Sequence, residues 1–242
     1  MSTAAVVIPA YNEGTTIRDV ALRALAQLSL VIVVDDGSID GTAAALDGLP
    51  VVLLRNEANC GKAGSLRRGA DEAVRRGAAA VVTLDGDGQH CPEDIPRLLE
   101  AWRATPHSIV IGSRLHARAA IPTARYRANR FANFWISWAA GQAIADTQSG
   151  FRVYPVALFA LSRVPFGAAA SFVFESEILI EAALSGVPIA CVPVNAVYVS
   201  HGRPSHFRPV VDIARIVRMV AWRLITRGLY LQGLLRSLRS RP

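Results

Sequence analysis

The sequence predicts an α/β fold, a mostly parallel sheet with helices on both faces, and three observations lead to this prediction. Short apolar, β-branched segments alternate with segments that have helical spacing. The apolar segments are hydrophobic at consecutive positions, as is typical of parallel strands that are covered on both faces. The chain has 242 residues, 52% of them hydrophobic, which is enough to bury the core of one such domain.

Five strands and four helices are predicted to alternate over the first half of the chain. The strands are expected at Ala4–Ile8, Leu30–Val34, Val51–Leu54, Ala79–Leu84 and Ser108–Ile111. The helices between them are expected near residues 15–28, 41–48, 62–76 and 93–103. Because strands joined by helical crossovers are parallel, the carboxyl ends of these strands are expected to meet at one edge of the sheet, where ligands bind.

The pattern changes in the second half of the chain. A helix is expected near residues 124–145, then a loop with the sequence DTQSGFR, a helix near 173–185 and a strand near 188–197. Since there is no repeat and no linker-like segment, we predict one domain over residues 1–207, followed by a helical extension over residues 208–242.

The net charge of +7 is concentrated in that extension. Residues 208–242 contain eight arginines and one acid, Asp212, whereas basic and acidic side chains balance over residues 1–207. The arginines interrupt an apolar stripe, a pattern typical of an amphipathic helix that binds a membrane surface. Nucleic acid is therefore not the expected partner. Two alternatives remain open: the helix packs on the domain, or it forms the seam of a homodimer.

Neither a signal peptide nor a spanning helix is predicted. The amino-terminal sequence has no basic region before its apolar segment, and the uncharged run over 131–145 is shorter than the ~20 residues that a spanning helix needs. Three separated cysteines indicate neither a disulfide framework nor a zinc site. We therefore expect a peripheral protein at the cytoplasmic face of a membrane.

The strongest chemical motif is DGDGQH, which follows a predicted strand. Asp85 and Asp87 lie two residues apart on a glycine turn, so both carboxylates can face one Mg²⁺ or Mn²⁺ ion, whose remaining ligands would come from water and substrate phosphates. Asp36 follows another strand and can accept hydrogen bonds from a ribose or a base. Lys62, the only lysine of the chain, lies in a glycine-containing helix start that suits a phosphate.

Taken in order, the segments VVIPAYNE, VVDDGSIDGT, NCGKAGSLRRG, DGDGQH, GSR and DTQSGFR resemble the family 2 glycosyltransferases of GT-A fold. GSR and DTQSGFR, together with FESE and VPV, are similar to the polyprenyl-phosphate branch of that family, which includes the dolichol-phosphate mannosyltransferases and the bacterial polyprenyl-phosphate hexosyltransferases. The resemblance covers residues 5 to about 207. The departures are small: Ile39 stands where threonine is common, and Gly86 where alanine is common.

The resemblance and the residue types together nominate four sets of site residues. The nucleotide sugar is expected to contact Pro9, Tyr11, Glu13, Val34, Asp36, Lys62, Asp85, Gly86 and Gln89. The metal is expected at Asp85 and Asp87, with Gln89 nearby. The acceptor phosphate is expected to meet Arg114, Arg130, Arg152 and Arg203. The catalytic residues are expected to be Asp87, Arg114, Asp146 and Glu177.

The resemblance implies a metal-dependent, inverting transfer of a hexose from a UDP- or GDP-sugar to a polyprenyl phosphate or a similar lipid acceptor. One alternative keeps the fold but glycosylates a hydroxyl of a lipid or aromatic-tail acceptor, for which Asp146 or Glu177 would serve as the base. Asp146 is equally suited to orienting an arginine or to capping its loop. The other alternative is a non-catalytic membrane protein that binds sugar nucleotides, although an intact Asp85 and Asp87 pair argues against it.

Overall fold

The computed structural model describes residues 3–115, 121, 123–161, 171–195 and 209–239. The strands are β1 (Ala4–Ala10), β2 (Val31–Asp35), β3 (Val52–Arg55), β4 (Ala80–Thr83), β5 (Ile109–Ser113), β6 (Arg152–Pro155) and β7 (Ile189–Pro193). The α-helices are α1 (Ile17–Leu25), α2 (Gly61–Arg75), α3 (Ile95–Ala104), α4 (Thr123–Ala140), α5 (Val156–Leu161), α6 (Ser171–Leu184), α7 (Pro209–Ile225) and α8 (Leu231–Arg239). Within these ranges, short 3₁₀ helices lie at Ala44–Leu46, Pro92–Asp94 and Gly228–Tyr230.

The strands form one mixed sheet in the order β3-β2-β1-β4-β6-β5-β7. All neighbouring pairs are parallel except those of β6, which runs antiparallel to both β4 and β5. The predicted mostly parallel α/β sheet is therefore confirmed. The sequence analysis missed β6, because its first residue, Arg152, is the last residue of the loop motif and the strand has only four residues.

One predicted helix is wrong. Residues 41–48 form only the single 3₁₀ turn Ala44–Leu46. The segment is bounded by two glycines, and Gly48 has a φ of +77°, which ends the turn. Before it, the Asp40 carboxylate accepts the main-chain N–H of Thr42 at 2.9 Å, so the segment begins as a side-chain-capped turn that is too short for an α-helix.

Alternate residues of the strands pack against two different helical layers. Ala5 and Val7 of β1 face a layer that contains α2, α4, α5, α6 and α7. Val6 and Ile8 face α1 and α3 on the other side of the sheet. This alternation, expected from the period of two along a strand, places helices on both faces and leaves the carboxyl ends of the parallel strands at one edge.

Helix α2 lies especially close to the sheet. A Cβ atom built on Gly69 would lie 2.4 Å from Cγ1 of Val7 and 3.2 Å from Cγ2 of Val34. Only a residue without a side chain allows this approach. The close contact fixes where α2 begins, and with it the position of Lys62 in its first turn.

The carboxyl-terminal extension folds back onto the domain as two helices. Val220 and Leu224 of α7 join the core layer that contains α6. The main-chain oxygen of Leu229 accepts a hydrogen bond from Nε1 of Trp138 in α4 at 2.9 Å, and Gly233 of α8 lies against the Tyr230 ring. Packing on the domain, one of the alternatives left open by the sequence, is therefore observed, with a break at 226–230 that divides the expected helix. Among the described residues, no helix is long and apolar enough to span a membrane.

Candidate functional site

The DGDGQH turn lies at the carboxyl end of β4 and is held by its neighbours. Oδ1 of Asp87 accepts the main-chain N–H of Gln89 at 3.0 Å, and Gly88 has a φ of +75°. Thr16 at the start of α1 donates its hydroxyl to the carbonyl of Gly86 at 2.7 Å. A Cβ on Gly86 would be 3.4 Å from Cγ of Glu13, so the turn and the AYNE segment after β1 are in direct contact, as predicted.

Lys62 joins this turn to α6. Its Nζ lies 2.6 Å from Oδ1 of Asp85 and 2.8 Å from Oε1 of Glu175. Burial alone would lower the pKa of Lys62, but the two carboxylates outweigh burial and raise the pKa above its ordinary value. Burial would likewise raise the pKa of Asp85, whereas the positive charges of Lys62 and Arg114 lower it to about 2. Lys62 and Asp85 are both ionised at neutral pH.

Asp87 and His90 respond to the same surroundings in opposite ways. Burial and the neighbouring charge of Asp85 raise the pKa of Asp87 above its usual range. Burial lowers the pKa of His90 to about 4, so its imidazole is neutral. Its Nδ1 accepts the main-chain N–H of Asp85 at 3.2 Å, and its ring stacks on Phe151 with 5.3 Å between centroids. His90 therefore holds the main chain of the turn at Asp85.

Arg114 enters the site from the carboxyl end of β5 and is oriented by Asp146. The fully buried Asp146 accepts the main-chain N–H of Arg114 at 3.0 Å, and the same oxygen lies 3.8 Å from its Nε. Nη2 of Arg114 donates to the carbonyl of Gln148 at 3.2 Å. These contacts fix the guanidinium close enough to lower the pKa of Asp85. Three roles were considered for Asp146, and its geometry favours orienting Arg114 and capping the loop, where its Oδ1 accepts the main-chain N–H of Gln148 at 3.3 Å, over the catalytic one.

Arg152 occupies a place that argues against its predicted contact with the acceptor phosphate. Its side chain is fully buried. The guanidinium donates to the carbonyls of Ser149 at 2.7 Å, of Thr147 at 2.8 Å and of Glu175 at 2.8 Å, and to the hydroxyl of Tyr154 at 2.8 Å. Four of its five N–H donors are thus used inside the protein. Arg152 holds the DTQSGFR loop against α6 rather than presenting donors to a ligand.

The two glutamates of FESE face different partners, and the nominated one lies outside the cluster at the turn. Glu177 pairs with Nη2 of Arg223 in α7 at 2.8 Å, so its position ties the extension to α6. Glu175, not Glu177, lies at the DGDGQH turn through Lys62. The signal available in the sequence was the spacing of two, which separates the glutamates on a helix without saying which one faces the cleft.

Two nominated nucleotide contacts have internal partners. The side chain of Val34 is fully buried and faces α2, which argues against a place in the pocket lining. The Asp36 carboxylate accepts the main-chain N–H groups of Cys60 and Gly61, each at 2.8 Å, and the Nδ2 of Asn56 at 2.6 Å. It therefore holds the loop before α2, and its contact with a nucleotide stays a prediction.

The remaining nominated residues occupy different places. Pro9 lies in β1 and Tyr11 follows that strand directly, at the ligand-binding edge of the sheet. Arg130 is exposed on α4. Arg203 lies outside the described residues. Contacts of these side chains with substrate stay predictions.

Sequence reasoning also missed Gly150. A Cβ on this residue would lie 2.8 Å from Nζ of Lys62, 3.0 Å from Oε1 of Glu175 and 3.1 Å from Oδ2 of Asp85. Its carbonyl accepts the hydroxyl of Thr83 in β4 at 2.7 Å. The main chain of the loop at Gly150 therefore packs directly against the ion cluster of Lys62, Asp85 and Glu175, with no side chain between them.

The donor set of the turn fits a hard divalent cation. Within the described ranges, no three His, Cys, Asp or Glu side chains already form a metal-binding group. Two carboxylates are nevertheless what Mg²⁺ or Mn²⁺ requires when water and diphosphate oxygens complete its shell. The raised pKa of Asp87 reflects repulsion by Asp85 and burial, and a bound cation would relieve both.

Comparison with known proteins places these features in a family. The model of "Glycosyl transferase family 2" matches residues 5–162. The chain is 30% identical over 204 residues to the polyprenol monophosphomannose synthase of Mycolicibacterium smegmatis, covering 78% of this chain and 76% of that protein. It is 29% identical over 231 residues to the undecaprenyl-phosphate mannosyltransferase of Micrococcus luteus, covering 91% and 94%. Glucosyl-3-phosphoglycerate synthase from Mycobacterium tuberculosis, crystallised with Mn²⁺, UDP-glucose and phosphoglyceric acid, shares the fold with a TM-score of 0.67 at 20% identity, covering 93% of this chain and 79% of that one.

Proposed function

The chain belongs to glycosyl transferase family 2, and on that premise we propose that it transfers a hexose from a nucleotide sugar to a polyprenyl phosphate or a similar lipid acceptor. Two relatives support this acceptor class, the polyprenol monophosphomannose synthase of Mycolicibacterium smegmatis and the undecaprenyl-phosphate mannosyltransferase of Micrococcus luteus. The single observation that carries the proposal is the convergence of Asp85, Asp87, Lys62 and Arg114 at one edge of the sheet.

On the donor side, Asp85 and Asp87 would hold Mg²⁺ or Mn²⁺, which supplies positive charge for the departing nucleoside diphosphate. Arg114, oriented by Asp146 and Gln148, contributes a fixed cation on the same side of the sheet edge. Such preorganised charge stabilises a transition state because it needs no rearrangement when the leaving group becomes more negative.

On the acceptor side, a phosphate oxygen attacks the anomeric carbon while the bond from that carbon to the diphosphate oxygen breaks. A phosphate monoester is ionised near pH 7, so no strong general base is required. This agrees with the positions of the two carboxylates considered as bases: Asp146 is fully buried, and Glu177 is paired with Arg223. Of the nominated arginines that the structure describes, Arg114 and the exposed Arg130 remain suited to the acceptor phosphate, and Arg203 stays a prediction outside the described residues.

The test is to incubate the purified protein with a panel of UDP- and GDP-sugars and a polyprenyl phosphate, and to identify the product by mass. We expect a glycosyl phospholipid that forms only with divalent metal. Asp87→Asn should abolish transfer and leave the thermal unfolding midpoint unchanged, whereas Asp19→Asn, an exposed change of the same kind on α1, should have no effect. Full activity of Asp87→Asn, or of the wild type in EDTA, would refute the metal role.

The carboxyl-terminal helices are proposed to hold the enzyme at a membrane surface. Although α7 and α8 pack on the domain, Trp222 and Ile225 of α7 are 66% and 65% exposed. Leu231, Leu235 and Leu238 of α8 are also exposed. The same helices carry arginines, each worth about 1 kcal/mol near anionic lipid. The cytoplasmic face of the membrane stays a prediction from the sequence.

Sedimentation with phosphatidylglycerol vesicles tests this surface. The double variant Trp222→Ser/Ile225→Ser should lose most of its binding, while Val74→Ser, a change at a 50% exposed residue of α2, should sediment like the wild type. If the exposed face is instead the seam of a homodimer, the wild type will not bind vesicles, and the double variant will change its mass in solution from dimer to monomer.

A further inference from the structure

The Lys62 ammonium lies in direct contact with the first carboxylate of the DGDGQH turn. Its Nζ is 2.6 Å from Oδ1 of Asp85, a residue nominated as a metal ligand. An ammonium is a compact point charge, and at contact distance it repels a divalent cation strongly. Lys62 and a metal ion therefore cannot both bind Oδ1 of Asp85 at full strength.

Glu175 provides a second partner for the same ammonium. Its Oε1 lies 2.8 Å from Nζ of Lys62, and its main-chain carbonyl accepts a hydrogen bond from Arg152 at 2.8 Å. The first part of α6 is thus fixed to the buried guanidinium that also holds the DTQSGFR loop. Lys62 can leave Asp85 without losing its ion pair, because Glu175 stays within reach.

Gly150 gives the ammonium room to shift. A Cβ at this position would lie 2.8 Å from Nζ and about equally close to both carboxylates. The absence of a side chain keeps the space between Asp85 and Glu175 open, so that the long, flexible lysine side chain can move between the two without displacing main chain.

We propose that Lys62 is an exchangeable counter-ion of the metal site: its ammonium bridges Asp85 and Glu175 while the site is empty, and it gives up Asp85 and keeps Glu175 when a divalent cation binds. Glu175 is then a positioning residue, which acts on the metal through Lys62. This inference rests on the metal site of the proposed function, but not on the identity of the sugar or of the acceptor. It predicts that the two members of one ion pair have opposite effects on metal affinity.

The experiment measures Mn²⁺ binding to the nucleotide-free protein by electron paramagnetic resonance titration, without any transfer reaction. Lys62→Met removes the competing cation and should tighten Mn²⁺ binding about tenfold, the effect of one neighbouring charge at short range. Glu175→Gln keeps the shape of the side chain but removes the alternate partner, and it should weaken binding by roughly three- to tenfold.

Two matched variants control for charge and for folding. Arg75→Met removes a cation from the other end of α2, and Glu181→Gln removes a carboxylate from α6 that pairs with Arg223. Both variants should bind Mn²⁺ within about twofold of the wild type, since charges separated from the metal by about a Debye length or more, roughly 10 Å, are largely screened. Thermal unfolding of each variant shows whether it is folded.

Opposite shifts for Lys62→Met and Glu175→Gln, with no further effect of Glu175→Gln in the Lys62→Met background, support the inference, because a Glu175 that acted directly on the cation would weaken binding in that background as well. Equal shifts in the same direction, or no shift in either, overturn the inference and leave the metal site standing. Absence of Mn²⁺ binding by the wild type and both variants overturns the metal site together with the inference.

Discussion

Arg152→Met distinguishes between two roles of this arginine. The sequence predicts that it contacts the acceptor phosphate, whereas the structure indicates that it supports the DTQSGFR loop. The guanidinium is fully buried and makes four hydrogen bonds of 2.7–2.8 Å, three of them to main-chain carbonyls. Methionine fills a similar volume but donates none of them. If the structural role is correct, stability falls before any substrate is considered.

The size of the loss follows from the bonds that are broken. Hydrogen bonds to a charged group contribute roughly 1.5–3 kcal/mol each, and part of that sum is offset because the variant no longer buries a cation. Removal of one member of a buried ionic network costs about 3–5 kcal/mol. Against a total stability of about 5–15 kcal/mol for a domain, this is a large effect. Arg152→Lys, which keeps the charge with three donors, should lose less.

Urea unfolding monitored by circular dichroism gives the free energies, and transfer assays give the KM for the lipid acceptor. Arg130→Met, on the exposed face of α4, is the control: its stability should match the wild type, and only its acceptor KM should rise if it binds the phosphate. The structural role of Arg152 is refuted if Arg152→Met unfolds within about 1 kcal/mol of the wild type while its acceptor KM rises strongly.

Three further outcomes are expected. Gly150→Ala should lower transfer by roughly tenfold with little change in the thermal unfolding midpoint, because its Cβ would lie 2.8 Å from Nζ of Lys62; unchanged transfer would contradict the close approach. Gly69→Ala should cost about 1–3 kcal/mol in urea unfolding, since its Cβ would lie 2.4 Å from Cγ1 of the buried Val7. In metal-free buffer, the free energy of unfolding should fall as pH drops from 6.5 to 4, because His90 takes up a proton on unfolding that its lowered pKa excludes in the folded protein. His90 contributes about 3 kcal/mol to this fall. His90→Gln should therefore make the free energy of unfolding depend less steeply on pH.

The parallel part of the sheet could be predicted because each of its strands is recognisable from its own sequence. β1, β2, β4 and β5 are buried on both faces, so their sequences are apolar at consecutive positions and need no information about partners. β6 gives no such signal. Its first residue, Arg152, is charged, and it is buried only because carbonyls of the preceding loop and of α6 surround its guanidinium.

The part of the candidate site that is built from single sequence motifs could be predicted. DGDGQH and GSR identify themselves by composition and by their position after a strand, and the structure brings Asp85 and Arg114 close enough to influence one another. The cluster around Lys62 is completed by a residue of α6, a helix that lies more than eighty residues after the DGDGQH turn in the sequence. Glu175 and Glu177 are indistinguishable in sequence, and only the rotation of α6 against α2 and α7 assigns Glu175 to Lys62 and Glu177 to Arg223.

The arginines show why residue type alone does not assign function in this chain. Arg114, Arg130 and Arg152 carry the same guanidinium and were nominated for the same phosphate, yet their surroundings differ in the one property that matters, the number of donors already committed. Arg152 donates four of its N–H groups to the protein itself. Arg114 is held at its Nη2 close to Asp85, and Arg130 is exposed. A guanidinium recognises a phosphate through paired N–H donors. The expected acceptor contacts therefore narrow to Arg114 and Arg130 among the described arginines, and the KM of each variant for the lipid acceptor decides between them.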